Sequence, residues 1–135
     1  MINVYETEDG VVFDMSQLEC DALRSYADGL LTDPEHPFVE LLRSQGLVVG
    51  DAPVPHLAVL LEAFSQATKV LTAWVVSPAG CRRSTFFVGP HSAVVSRCDE
   101  GGLYAGEDDL LSVWVVGSAQ LRETFFELSA LGEPS

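Results

Sequence analysis

At 135 residues the chain has the usual length of one domain, and its 47% apolar content lies far above that of disordered chains and suffices for one core. Seven basic residues stand against 20 acidic ones, a formal net charge of −13 that repels a phosphate backbone and an anionic bilayer alike and argues against nucleic acid and membrane as partners. No apolar run approaches the ~20 residues of a membrane span, and Met1–Glu6 carries neither the basic nor the apolar region of an export signal, so the expected location is the cytoplasm.

In chain order, Asn3–Tyr5 and Val11–Phe13 are short β-prone runs around an Asp9-Gly10 turn, which predicts an N-terminal hairpin. Ser16-Gln17-Leu18-Glu19 is a capping box, in which the serine hydroxyl and the glutamate satisfy each other's free amides. A helix is expected from about Gln17 to Asp28, stopping near Gly29, with Leu18, Ala22, Leu23 and Tyr26 at helical spacing. Thr32–Pro37 reads as a turn. Pro37 suits the first position of a second helix, because its φ is already helical; Phe38, Leu41 and Leu42 form the apolar stripe and Gly46 the terminator. Pro53 and Pro55 punctuate the next loop, and His56–Ala67 carries Leu57, Leu60, Leu61 and Phe64 on one face.

From Lys69 the pattern changes. Val70–Val76, Ser84–Val88, Ala93–Arg97 and Leu110–Val116 are β-branched or aromatic runs separated by Pro78-Ala79-Gly80, Gly89-Pro90 and Gly101-Gly102, the signature of consecutive antiparallel strands. A last helix is expected from Ser118, packing through Leu121, Phe125, Leu128 and Leu131, before Gly132 and a frayed tail. The expected fold of residues 1–135 is one α+β domain: a meander of about four strands plus the hairpin, with helices, the C-terminal one included, over one sheet face.

Chemistry-bearing constellations are missing from the pattern. His36, His56 and His91 each adjoin a proline and share no ligand spacing, so surface or capping roles are expected. There is no G-x-S-x-G elbow, no phosphate loop and no alternating calcium loop; Glu107-Asp108-Asp109 reads as a solvated face. No catalytic residue, metal or cofactor is therefore assigned, and a non-enzymatic role is expected. A two-residue turn at Gly89-Pro90 would bring Cys81 opposite Cys98 but also Arg82 opposite Arg97, which is unfavourable. A longer loop would separate both pairs, and free thiols are the expectation for a reducing compartment.

The aromatics Trp74, Phe86, Phe87, Tyr104 and Trp114 all fall in the strand region, and the runs around both tryptophans are apolar on both faces of a strand. Arg82, Arg83 and Arg97 lie in the same zone. Charge is divided unevenly: residues 1–66 carry 12 carboxylates against two arginines, and the remainder eight against five basic groups. Aromatics ringed by arginine are common at protein interfaces, so Trp74, Arg82, Arg83, Phe86, Arg97 and Trp114 are the candidate protein-binding residues; the plainer reading makes the aromatics core.

The stretch Leu41-Leu42-Arg43-Ser44-Gln45-Gly46-Leu47-Val48, followed by Pro55–Leu61 and a run of strands ending in a helix, resembles the repeat unit of the EspG family over residues 38 to 132. That family comprises cytosolic chaperones of mycobacterial type VII secretion, built of two α+β halves related by pseudo-twofold symmetry, which bind PE–PPE substrate pairs. The resemblance implies an actinobacterial, protein-binding role with a secreted protein as partner. This chain has the length of one half, so it would have to dimerise to rebuild such a sheet, and its hairpin through Tyr5 and Phe13 departs from the family pattern. The leading expectation is thus a protein-binding adaptor or secretion-chaperone-like protein acting through its sheet as a homodimer. The alternatives are a small-molecule-binding or enzymatic α+β domain with an apolar pocket, and an immunity protein against a basic toxin. A winged-helix regulator is disfavoured because Phe38–Gln45 carries only Arg43, offset by Glu40.

Overall fold

The computed structural model describes residues 1–8, 10–78, 80–99 and 106–129. Asp9, Ala79, the Gly101-Gly102 turn, Tyr104, Leu131 and Gly132, which figure in the sequence reading, lie outside the described residues. Within them the order is β1 (Asn3–Thr7), β2 (Gly10–Ser16), α1 (Gln17–Ala27), α2 (Pro37–Ser44), β3 (Val48–Val49), β4 (Ala52–Pro53), α3 (Pro55–Gln66), β5 (Lys69–Ser77), β6 (Gly80–Val88), β7 (Ser92–Cys98), β8 (Leu110–Gly117) and α4 (Ser118–Ser129). This is an α+β fold.

Local chemistry sets most of these boundaries. At the start of α1, Ser16 Oγ accepts the Glu19 amide at 3.1 Å and the Ser16 amide donates to Glu19 Oε1 at 3.0 Å, the expected capping box. Pro37 opens α2, and His36 Nδ1 accepts the Phe38 amide at 3.1 Å. That helix ends where Gly46 takes φ 73°. The Gly46 amide then donates to Arg43 O and the Leu47 amide to Leu42 O, a Schellman closure that needs a residue at ease with positive φ.

All six long strands form one antiparallel sheet in the order β1-β2-β8-β7-β6-β5. The hairpin is therefore not an appendage to the meander. It docks on the last strand, through Phe13 opposite Val113 and Met15 opposite Leu111. The β3–β4 pair forms a separate two-stranded ribbon.

Two cores lie on opposite sides of this sheet, because neighbouring residues of a strand point to opposite faces. On one side Phe13, Phe87, Val94 and Val113 pack with Leu23, Leu42, Leu57 and Phe64 of α1, α2 and α3. On the other, Phe86, Ala93, Val95 and Val116 pack with Leu121, Phe125 and Leu128 of α4. The expectation that all helices share one face is corrected: three take one face and α4 the other. The apolar run Val113–Val116 is the consequence, since a strand buried on both faces has no polar side to alternate with.

The register between β6 and β7 also differs from the tight-turn alternative. Val88 faces Ala93 and Arg83 faces Cys98, so the connection is longer than two residues. Cys81 is thereby removed from Cys98, Arg97 meets Ser84 rather than Arg82, and Cys20, Cys81 and Cys98 are free thiols.

Candidate functional site

The six residues nominated from sequence do not converge. Trp74 and Arg83 are cross-strand partners on the face that carries α1–α3. The register places Arg82, Phe86, Arg97 and Trp114 on the α4 face.

Phe86 is fully buried, 5.3 Å from the ring of Phe125. It is core, because α4 covers it. Trp114 is half-buried in the same cluster. Arg82 Nη2 donates to Leu128 O at 2.6 Å, where a cation complements the carbonyl end of α4. Arg83 is buried and joined to Asp109 at 3.1 Å, and Arg97 is joined to Asp99 at 3.1 Å. The arginines thus anchor the molecule's own segments. Sequence reasoning missed this for Arg82 and Arg83, because their acceptors Leu128 and Asp109 lie far along the chain. Trp74 is half exposed.

Around Trp74 lies an apolar exposed stretch of the described surface. In β5, Val70 is 54% exposed, Leu71 50%, Trp74 49% and Val76 68%. The strand runs nine residues, Lys69–Ser77, without a bulge in its register to β6, and none of the nine is acidic. Among the described residues it forms one border of the sheet, with β6 its only strand neighbour. The opposite border, β1, is five residues long, carries Glu6 and is followed by Glu8. Natural sheets blunt their borders with short strands and charges. β1 follows that rule, and β5 does so only through Lys69.

The second feature is a groove of about 620 Å³ on the α4 face. Because α4 packs across β5, β7 and β8, the surface over β1 and β2 is left open beside it. Tyr5, Val12 and Trp114 line the groove, along with Glu8, Glu123 and Glu127. At one end Tyr5 Oη and Ser112 Oγ both donate to Asp14 Oδ1, at 3.3 and 3.1 Å.

A hollow of about 890 Å³ lies between Met1, Glu19, Arg97 and Asp109, but these four charged groups are engaged within the fold. Glu19 Oε2 meets the N-terminal ammonium at 3.0 Å. Burial raises the Glu19 carboxyl, yet the Ser16 amide and that ammonium outweigh it and hold the carboxyl below its ordinary range. Asp109 is lowered too, first by the Gly106 amide and then by Arg83. Among the described residues no group of three or more His, Cys, Asp or Glu is placed to hold a metal. The imidazoles lie apart in role: His36 caps α2, His56 sits 6.0 Å from the ring of Phe13, and the His91 carbonyl accepts the Ser118 amide. No described helix is long and apolar enough to cross a membrane.

Comparison with protein-family models, with curated proteins and with solved structures finds no match to this chain.

Proposed function

We propose that this chain is a protein-binding adaptor, chaperone-like in character, that pairs with a second copy of itself through the outer side of β5. The observation that carries the reading is a nine-residue border strand with four large apolar side chains exposed, in a molecule whose other border is short and acidic. An uncovered strand of this kind is a template for adding another strand.

The occupant that suits it best is an identical β5. Antiparallel pairing about Ala73 sets Val70 against Val76 and Thr72 against Trp74 of the partner on one face, and Leu71 against Val75 on the other. Lys69 meets Ser77 at the ends, and every other pair is apolar or neutral. A chain of net charge −13 would normally repel its copy, but β5 contributes none of the 20 acidic residues, so close approach there brings no carboxylates together. Buried free thiols at Cys20 and Cys98 suit work in a reducing compartment.

Analytical ultracentrifugation across micromolar concentrations tests this. The wild-type chain is expected to dimerise, and Val70→Lys with Val76→Lys, which sets lysine against lysine across the pairing, to raise the dissociation constant at least about tenfold, or about 1.4 kcal/mol. Both positions are exposed, so the monomer fold is retained. A wild-type monomer throughout, or a dimer indifferent to the two lysines, overturns the reading.

A further inference from the structure

The groove beside α4 points to a second kind of partner. Its floor spans β1, β2 and β8, two interstrand spacings of about 4.8 Å each, or roughly the 10–12 Å diameter of one helix. Among the described residues the opposite face of the sheet carries three helices and this face carries only α4, with the open floor alongside it.

The walls indicate what chemistry fits. Glu123 and Glu127 sit at i and i+4 on the side of α4 that lines the groove, a like-charge spacing that weakens an isolated helix. Glu8 lines the groove from the β1–β2 hairpin. None of the ion pairs among the described residues involves Glu8, Glu123 or Glu127. Arg97, the basic group in the lining, is held by Asp99. Between these carboxylates lies an amphipathic floor of Tyr5, Val12 and Trp114.

We propose that this groove seats one basic amphipathic helix of another protein, its apolar stripe on Tyr5, Val12 and Trp114 and its lysines or arginines against Glu8 of the β1–β2 hairpin and Glu123 and Glu127 of α4. The occupant completes the helical layer on the α4 face. Helix-in-groove recognition joins an apolar stripe to a charged rim in this way. The site is separate from the β5 border, and its occupation does not depend on dimerisation.

The probe is a fluorescein-labelled synthetic helix with leucines on one face and lysines on the other. A scrambled peptide of the same composition and a version with glutamate for lysine serve as controls, and anisotropy is the readout. Two charge-reversed proteins separate place from net charge: Glu123→Lys with Glu127→Lys at the groove, and Glu40→Lys with Glu62→Lys on α2 and α3. Thr124→Trp fills the groove without changing charge, and circular dichroism checks that each variant keeps its helices. Expected are tightest binding of the amphipathic basic peptide, at least about tenfold weakening by the groove reversal and by Thr124→Trp, and a much smaller effect of the distal reversal. Equal binding of the scrambled peptide, equal loss in both reversals, or no binding at micromolar concentration overturns the proposal. Loss of the β5 dimer in the double-lysine variant leaves this result untouched, so the two proposals fail separately.

Discussion

The guanidinium of Arg83 on β6 lies 3.1 Å from the carboxylate of Asp109, with only 6% of the arginine side chain exposed, so β6 is tied to the loop that enters β8. Asp109 makes two further ties. Its Oδ2 accepts the Gly106 amide at 3.0 Å, and its carbonyl accepts the Gln17 amide at 2.8 Å, next to the Leu18 amide bonded to Glu107 O. The first free amides of α1, which a helix must satisfy from outside itself, are thereby met by an acidic segment that reads as solvated in the sequence.

This arrangement predicts an acid-sensitive fold. The Asp109 carboxyl is held below its ordinary value of 3.8, and that of Glu19 below 4.5. A carboxylate with a depressed pKa stabilises the fold fully above its unfolded-state value, and the contribution disappears as pH falls through the folded-state value. Both contributions are therefore complete above about pH 5.5 and lost progressively below about pH 4. Asp109→Asn and Glu19→Gln should each lower Tm at pH 7 and flatten its fall on acidification, followed by circular dichroism melts between these limits. A uniform drop at every pH, with unaltered slope, would show that the charge is not the cause.

Phe86 and Trp74 resemble each other in sequence and differ in consequence. Phe86 fills the core under α4 with Phe125, so Phe86→Ala is expected to cost about 3–5 kcal/mol in urea denaturation. Trp74 is half exposed on the border strand, and Trp74→Ala should cost the monomer far less while weakening self-association. Equal losses in the two variants would contradict the two-core description.

The thiols should react in two classes. Cys81 is partly exposed, whereas Cys20 and Cys98 are buried, and burial pushes the Cys20 thiol up to about 12, where almost no thiolate is present at neutral pH. One thiol is expected to react quickly with a chromogenic disulfide in the native protein, and all three after denaturation. Three fast thiols would refute the burial pattern, and fewer than three in denaturant would refute the register that separates Cys81 from Cys98.

Helices and strands were legible because their signals are local. Ser16 with Glu19, Pro37, Gly46 and Pro55 each act within a few residues of themselves, and α1, α2 and α3 begin where those residues place them. The border strand was half legible. Val70–Val76 was recognisable as an apolar strand with a candidate tryptophan, but nothing near it in the chain says that β5 ends the sheet while the equally apolar β8 lies inside it. The groove was not legible at all, since Glu8 and Glu123 come to line one groove only when β2 pairs with β8.

Sequence by itself determined the class of the fold, the succession of its elements and the acidity of its surface, because periodicity, capping and composition are properties of short stretches or of the whole chain. Tertiary structure alone decided that α4 takes the face opposite the other helices, that β6 and β7 pair so as to part the two cysteines, and that Arg82, Arg83 and Arg97 bind the molecule's own groups. Those outcomes depend on how whole elements pair and pack, which is set by the combined burial of every element rather than by any one of them.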